Sequence, residues 1–330
     1  MLFDTEYPQI YSTCNIKLDI LSKPIVWFKP YLTSIGQFFL YNLKVKPFEL
    51  KTAKQLTKTI IKTEEGTEIM VAMSNTAKDP DGIVLYLHTV CGNYTQLAHI
   101  SHMTHQNNMC YVSYTRSGND SSLIHNKFNF VGCIEELQLV IRFIKIQYPN
   151  VPIHAIAASA GSALLIRYMG KYNEEKLIKS AVLVSPGFNF IQSVKNMSNL
   201  SKAYLVNKMK YMIRGSHPPD ELKSIKSLDD WLEFQSRILG YNTIEDYVRD
   251  CDPVNYLHKI NVPTLCISSL DDTIFTGDIT KQYLNLPNIN KNVMLVVTKR
   301  GGHVMFEDEG YQTPWFLRVS EEWLRYQIKK

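Results

Sequence analysis

Apolar runs of strand length alternate with segments of helical period along most of this 330-residue chain. That rhythm predicts βαβ units and a mostly parallel, doubly wound sheet of the α/β class. Strands are expected at Thr57–Lys62, Glu68–Met73, Ile83–His88, Met109–Tyr114, Ile153–Ala157, Ser180–Ser185, Thr264–Ser269 and Asn292–Val297. Helical spacing is clearest over Val131–Gln147, Ser162–Lys171 and Trp315–Gln327. The first of these should stop at Tyr148-Pro149-Asn150, because proline disfavours helix in the residue before it. Between Phe188 and Asp250 the strand-like runs disappear. Lys195, Lys202, Lys208, Lys210 and Arg214 are interleaved there with Met197, Tyr204, Met209, Tyr211 and Met212, a mixture that reads as a helical cap inserted between two sheet strands. The expected organisation is one domain over 1–330, with an N-terminal extension over about 1–55 and the cap over about 188–250.

Composition narrows the class. Hydrophobic residues make up 45% and charged residues 20%, as in a globular protein. The net charge of +5 comes from scattered side chains with no Lys/Arg block, so no nucleic-acid partner is expected. The six cysteines form no CxxC pair, and Cys110 and Cys266 sit in apolar runs as small hydrophobes. Asp4, Glu6, Lys17 and Asp19 interrupt the start of the chain, unlike a secretory signal, so a reducing, cytoplasmic setting is the expectation. Ile25–Phe28 and Tyr31–Leu43 are separated by Lys29-Pro30, and neither approaches the roughly 20 apolar residues that span a bilayer. Trp27, Phe28, Phe38 and Phe39 leave two readings open, peripheral contact with a membrane surface or packing on the protein's own core.

The chemistry concentrates in four short segments. Ala157-Ala158-Ser159-Ala160-Gly161 follows the apolar run Ile153–Ile156 and precedes a helical pattern. Small residues two places either side of a serine allow a sharp strand-to-helix turn that exposes the hydroxyl at the carboxyl edge of a sheet. The pattern G-x-S-x-G has alanine as its first glycine here, and the plainer alternative is that Ser159 caps the helix. A serine hydroxyl needs a histidine base oriented by a carboxylate, and in doubly wound hydrolases the chain order is Ser, Asp or Glu, His. The run Val262–Leu270 ends in Asp271-Asp272-Thr273-Ile274, with Asp272 the favoured acid and Asp271 a turn residue or supporting acceptor. His303 follows Gly301-Gly302, whose permissive backbone can turn a loop histidine inward. Ile83–His88 runs into Thr89-Val90-Cys91-Gly92, where the backbone N–H of Val90 would join that of Ala160 as an oxyanion hole. Thr89 stands where glycine is expected.

With these residues in place the chain resembles the α/β-hydrolase superfamily, and within it the YheT-type branch, AB hydrolase family 4. The resemblance runs nearly end to end. Phe28-Lys-Pro-Tyr and Ile35-Gly-Gln-Phe-Phe resemble an eroded form of its entry segment, Leu87-His-Thr-Val-Cys-Gly its first loop, and Tyr114-Thr-Arg116-Ser-Gly118 its N-x-R-G turn. Ala157–Gly161 occupies the elbow, Pro263–Thr273 the acid segment, and Gly301-Gly-His-Val-Met-Phe306 the GGHxGF segment. The resemblance implies an α/β-hydrolase fold and hydrolysis of a carboxylic ester, often a lipid ester, without metal or organic cofactor. Carried over by position, Ser159 is the nucleophile, His303 the base and Asp272 the orienting acid.

His99, His102 and His105 spread over a wide helical arc, unlike the i, i+4 pair of helical zinc sites, and read as a polar helix face. The spacing from His303 to Asp308 matches a loose acyltransferase-like pattern. Cys91 has no basic neighbour in sequence and reads as a small packed residue rather than a reactive thiol. The expected partner is a small-molecule ester. A hydrolase-fold protein that binds an apolar ligand without turnover, or an acyltransferase, are the alternatives.

Overall fold

Strands buried on both faces carry apolar side chains at every position instead of alternating, and Ile83, Val84, Leu85 and Tyr86 at the centre of the sheet are wholly buried. The structure is a computed structural model that describes residues 3–28, 45–74, 79–120, 123, 128–131, 133–172, 174–214, 219–307 and 313–330. Its strands are β1 (Phe3–Glu6), β2 (Gln9–Tyr11), β3 (Ile25–Phe28), β4 (Thr57–Lys62), β5 (Glu68–Met73), β6 (Gly82–Leu87), β7 (Met109–Thr115), β8 (Ile153–Ala158), β9 (Ile178–Val184), β10 (Thr264–Ser269) and β11 (Val293–Thr298). Nine of them form one sheet in the order β2-β11-β10-β9-β8-β6-β7-β5-β4. The six strands from β7 across to β11 run parallel, and β4, β5 and β2 join antiparallel at the two edges.

Helix α1 (Lys46–Ala53) precedes β4, and α2 (Ile100–Gln106), α3 (Ile134–Gln147) and α4 (Ala160–Lys171) make the crossovers from β6 to β9. Among the described residues five α-helices separate β9 from β10: α5 (Phe190–Asn196), α6 (Asn199–Ile213), α7 (Pro219–Ser224), α8 (Leu228–Ile238) and α9 (Ile244–Cys251). The short α10 (Gly277–Gln282) and α11 (Leu286–Ile289) lead to β11, and α12 (Trp315–Ile328) closes the chain. Every strand expected from the apolar runs is present within two residues at each end. The helix expected from Val131 begins at Ile134 and ends at Gln147, with Tyr148 as its cap beside Pro149.

One face of the sheet packs Leu137, Ile141 and Ile144 of α3 with Leu164 and Leu165 of α4. The other packs Trp315, Val319 and Trp323 of α12 together with Leu18, Leu21, Ile25 and Trp27. The Trp27 ring therefore lies in the protein's own core; the side chain of Phe28, and Phe38 and Phe39 altogether, fall outside the described residues. The N-terminal segment contributes more than an appendage, because β2 extends the main sheet through Val296↔Ile10 while β1 and β3 pair as a separate ladder. A third cluster joins Val206, Met209 and Trp231 of the helices after β9 to Phe128 and Ala163. Among the described residues no helix is long and apolar enough to cross a membrane.

From β6 the chain passes to β7 on one side and then to β8 on the other, so strand order reverses between β6 and β8. The loops leaving the carboxyl ends of two such strands diverge and open a crevice there. Thr89-Val90 follows β6 and Ser159 follows β8.

Candidate active site

Ser159 joins β8 to α4 with φ 54° and ψ −119°, a conformation that costs an L-residue about 1–3 kcal/mol. Its N–H donates to the Val184 carbonyl at 2.9 Å and its carbonyl accepts from Ser162 and Ala163. Ser162 Oγ donates to the Ala157 carbonyl at 2.8 Å, tying the start of the helix to the end of the strand. The elbow must pass close under β6: a Cβ on Gly161 would lie 2.4 Å from the Leu87 oxygen and 2.7 Å from the His88 oxygen. Glycine at 161 is therefore a steric requirement, whereas the alanine at 157 is accommodated in the core. Ser159 occupies the cap position of α4, but its side chain makes no capping bond. Its hydroxyl is turned to His303.

His303 Nε2 lies 2.8 Å from Ser159 Oγ, and His303 Nδ1 lies 2.9 Å from Asp272 Oδ2. An ionised carboxylate only accepts, so Nδ1 carries the proton and Nε2 is left to accept from the serine hydroxyl. The other carboxylate oxygen, Oδ1 of Asp272, accepts the N–H groups of Ile274 at 2.7 Å and Phe275 at 2.9 Å. These two bonds close the turn after β10 and orient the carboxylate. Asp271 does something different: its Oδ1 accepts the Gly302 N–H at 2.8 Å.

The loop carrying His303 is held at several points that sequence reading did not single out. Ser269 Oγ donates to the Gly302 carbonyl at 2.8 Å, and Ser185 Oγ, just past β9, accepts the Val304 N–H at 3.1 Å. Gly301 has φ 148° and a Cβ there would meet the Phe306 ring at 2.6 Å. The ring of Phe275 stands edge-on to His303 with centroids 5.2 Å apart.

Across the crevice, Thr89 uses every polar atom it has. Its N–H donates to Gln96 Oε1 at 2.9 Å, its Oγ1 accepts from Gln96 Nε2 at 3.2 Å, and its carbonyl accepts from Arg116 at 2.6 Å. Arg116 is buried and also donates to the carbonyls of His88 at 3.1 Å and Phe130 at 3.1 Å. His88 Nε2 accepts the Arg116 N–H at 3.2 Å, so Nδ1 is protonated and donates to the Thr89 carbonyl at 2.7 Å. Burial first, and the Arg116 charge second, push the His88 imidazole well below its ordinary pKa, in keeping with a neutral ring. The Arg116 turn is thus the brace of the loop after β6. Among the described residues, neither the Val90 nor the Ala160 N–H has a protein acceptor.

Ser159, Ala160, His303, Thr89 and Val90 line one cavity of about 510 Å³. Its walls are largely apolar and come from Phe130, from Phe190, Val194 and Met197 of the helices after β9, and from Met305 and Phe316. Lys46 and Lys208 also border it. Cys91 lines the same cavity, but burial holds its thiol up at about 11, so it is protonated near neutrality. The three histidines of α2 part company: His99 is buried beside Glu49 at 3.8 Å, His102 contacts Thr52 Oγ1 at 3.3 Å, and His105 faces outward. Asp308 lies outside the described residues.

A family model described as serine aminopeptidase, S33 (Hydrolase_4) matches residues 78–309. Phospholipase ABHD3 of Bos taurus is 26% identical over 93% of the chain and 78% of its own length. Monoacylglycerol lipase ABHD2 of Danio rerio is 24% identical over 53% of the chain, which spans 45% of that relative. Among solved structures, the Pyrococcus furiosus esterase Pf2001 superposes with a TM-score of 0.53 at 20% identity, covering 82% of this chain and 92% of that one.

Proposed function

The chain belongs to the Hydrolase_4 family of α/β hydrolases, and from that premise we propose that it cleaves a carboxylic ester of a lipid through Ser159, His303 and Asp272. The observation that carries this reading is the continuous hydrogen-bonded line from Asp272 Oδ2 through the His303 ring to Ser159 Oγ, with contacts of 2.9 and 2.8 Å. In the first step Ser159 Oγ adds to the ester carbonyl while its proton moves to His303 Nε2. Asp272 stabilises the imidazolium that forms. The negative charge on the carbonyl oxygen falls to the N–H groups of Val90 and Ala160, a contribution of about 10²–10³ in rate for each such donor. Collapse breaks the C–O bond, and His303 returns its proton to the departing alkoxide. Water then adds to the acyl carbon as it gives a proton to His303; collapse releases the carboxylic acid and His303 returns that proton to Ser159 Oγ.

The lipid character of the substrate is supported by the apolar cavity walls, into which an acyl chain would fit, and by the names of the ABHD3 and ABHD2 relatives. The helices between β9 and β10 act in this reading as a cap over the acyl site, within a single domain. The motifs from Leu87 to Phe306 support placement in the YheT-type branch, and the reaction needs no metal or organic cofactor. A cytoplasmic location belongs to the same proposal.

An activity-based fluorophosphonate probe tests the assignment directly. Wild-type protein should label and should hydrolyse p-nitrophenyl esters, and Ser159→Ala should do neither. Folded wild-type protein that never labels, or labelling that survives Ser159→Ala, overturns it.

A further inference from the structure

Helix α6 carries apolar side chains on two sides, and among the described residues one of these sides packs inside the protein while the other is exposed. Val206, Met209 and Ile213 are buried against the neighbouring helices. At about 100° per residue, Leu200, Tyr204 and Tyr211 fall together on the opposite side. They are 69%, 50% and 63% exposed, so three large apolar or aromatic side chains share one outward side of the helix instead of standing singly.

Two further observations say what would cover it. From Phe188 to Arg214 the chain holds five basic residues and no acidic one. Two of those cations lie on the exposed tyrosines themselves, with Lys208 Nζ 5.8 Å from the Tyr204 ring centroid and Arg214 Cζ 3.4 Å from that of Tyr211. Aromatic rings beside cations with long alkyl stems suit the boundary between lipid headgroups and acyl chains, because each side chain has an apolar body and a polar end. This outward side also runs into the cavity mouth, since Leu200, Tyr204 and Lys208 line the cavity that holds Ser159.

We infer that α6 is an interfacial docking helix that seats the protein on an anionic lipid surface, with Leu200, Tyr204 and Tyr211 entering the headgroup layer and the basic side chains meeting acidic lipids. The cavity mouth then opens onto the bilayer, so an ester-bearing lipid reaches Ser159 without crossing water. That last consequence rests on the proposed lipid-ester activity; the docking itself does not. It also places the membrane contact on a helix beside the site, and not on the N-terminal aromatic segment, for which the sequence left membrane contact and core packing both open.

The test is sedimentation with vesicles, read on Ser159→Ala protein so that turnover plays no part. Binding to mixed phosphatidylcholine–phosphatidylserine vesicles is expected, with little on phosphatidylcholine alone and progressive loss as salt rises. The double variant Tyr211→Ser with Arg214→Glu, neither of which lines the cavity, should weaken binding about tenfold or more. In the Ser159 background it should leave hydrolysis of a soluble ester unchanged. Ile146→Ser, which removes a 76% exposed side chain on α3, should bind as the parent does. Equal binding to both vesicle types, or equal weakening by the α6 and α3 variants, or no loss in the α6 variant, overturns the inference. Because binding is scored on a protein without the proposed nucleophile, its failure is separable from failure of the esterase assignment.

Discussion

Asp271 Oδ1 accepts the Gly302 N–H at 2.8 Å, and this single bond separates the duties of two adjacent acids. Asp272 reaches the imidazole, while Asp271 fastens the glycine immediately before it. Removing the charge of each should therefore have different consequences. Asp272→Asn should lower kcat on p-nitrophenyl acetate by about 10³–10⁴, because the amide can hold the ring in the wrong tautomer. Asp271→Asn keeps an acceptor oxygen for Gly302 and should lose only about tenfold, a charge-assisted bond weakened to a neutral one. Equal losses in the two variants would contradict this division of labour.

Ser185 offers a second check on the loop. Its Oγ accepts the Val304 N–H, adjacent to His303, from a residue just beyond β9. Ser185→Ala leaves that N–H without its partner and frees the loop by about 1 kcal/mol. Turnover should fall roughly tenfold with KM little changed, since Ser185 does not line the cavity. A change confined to KM would assign Ser185 to substrate binding instead.

Strands β4 to β11 and the three principal helices were legible in the sequence because each is a local pattern of six residues or more with its own turn signals. The order of Ser159, Asp272 and His303 was legible because each sits where a strand pattern ends. Other features depend on strand order, which no local pattern carries. Ser185 meets Val304 only because the loops after β9 and β11 converge, and Arg116 braces Thr89 only because β6 and β7 are neighbours. The strands β1, β2 and β3 escaped notice for a simpler reason: runs of three or four residues are too short to show a period.

Buried histidines predict the response of the fold to acid. Burial, assisted by His102 for one and Lys179 for the other, brings His99 and His154 down to about 4, and His88 is shifted in the same direction. Below pH ~6.5 the unfolded chain takes up protons at these rings that the folded chain does not. Their contribution is therefore complete above pH ~6.5 and is lost as pH falls toward 4, by about 3 kcal/mol for each of His99 and His154. Urea unfolding at pH 7 and pH 4.5 should show a marked drop in stability. In His154→Asn the pH dependence should be shallower by about one proton. An unchanged slope would mean that His154 titrates normally in the folded state.

Thr89 stands where this kind of loop is expected to have glycine, and the natural suspicion is that it impairs the oxyanion site. Its contacts argue the reverse. The Thr89 N–H belongs to Gln96, its hydroxyl to the same amide, and its carbonyl to Arg116 and His88, so the side chain helps to lock the peptide that leads into Val90. Glycine would lose the hydroxyl bond to Gln96 and gain backbone freedom at a position whose geometry matters to about an order of magnitude in rate for a small displacement. Thr89→Gly should therefore lower kcat about three- to tenfold and reduce stability by about 1 kcal/mol. Gln96→Ala should act in the same direction and should not add fully to it, since both changes remove one shared bond. Stopped-flow measurement of acyl-enzyme formation in the two single variants and the double variant reads this directly. A Thr89→Gly protein that acylates faster than wild type would show that threonine at this position restrains the enzyme.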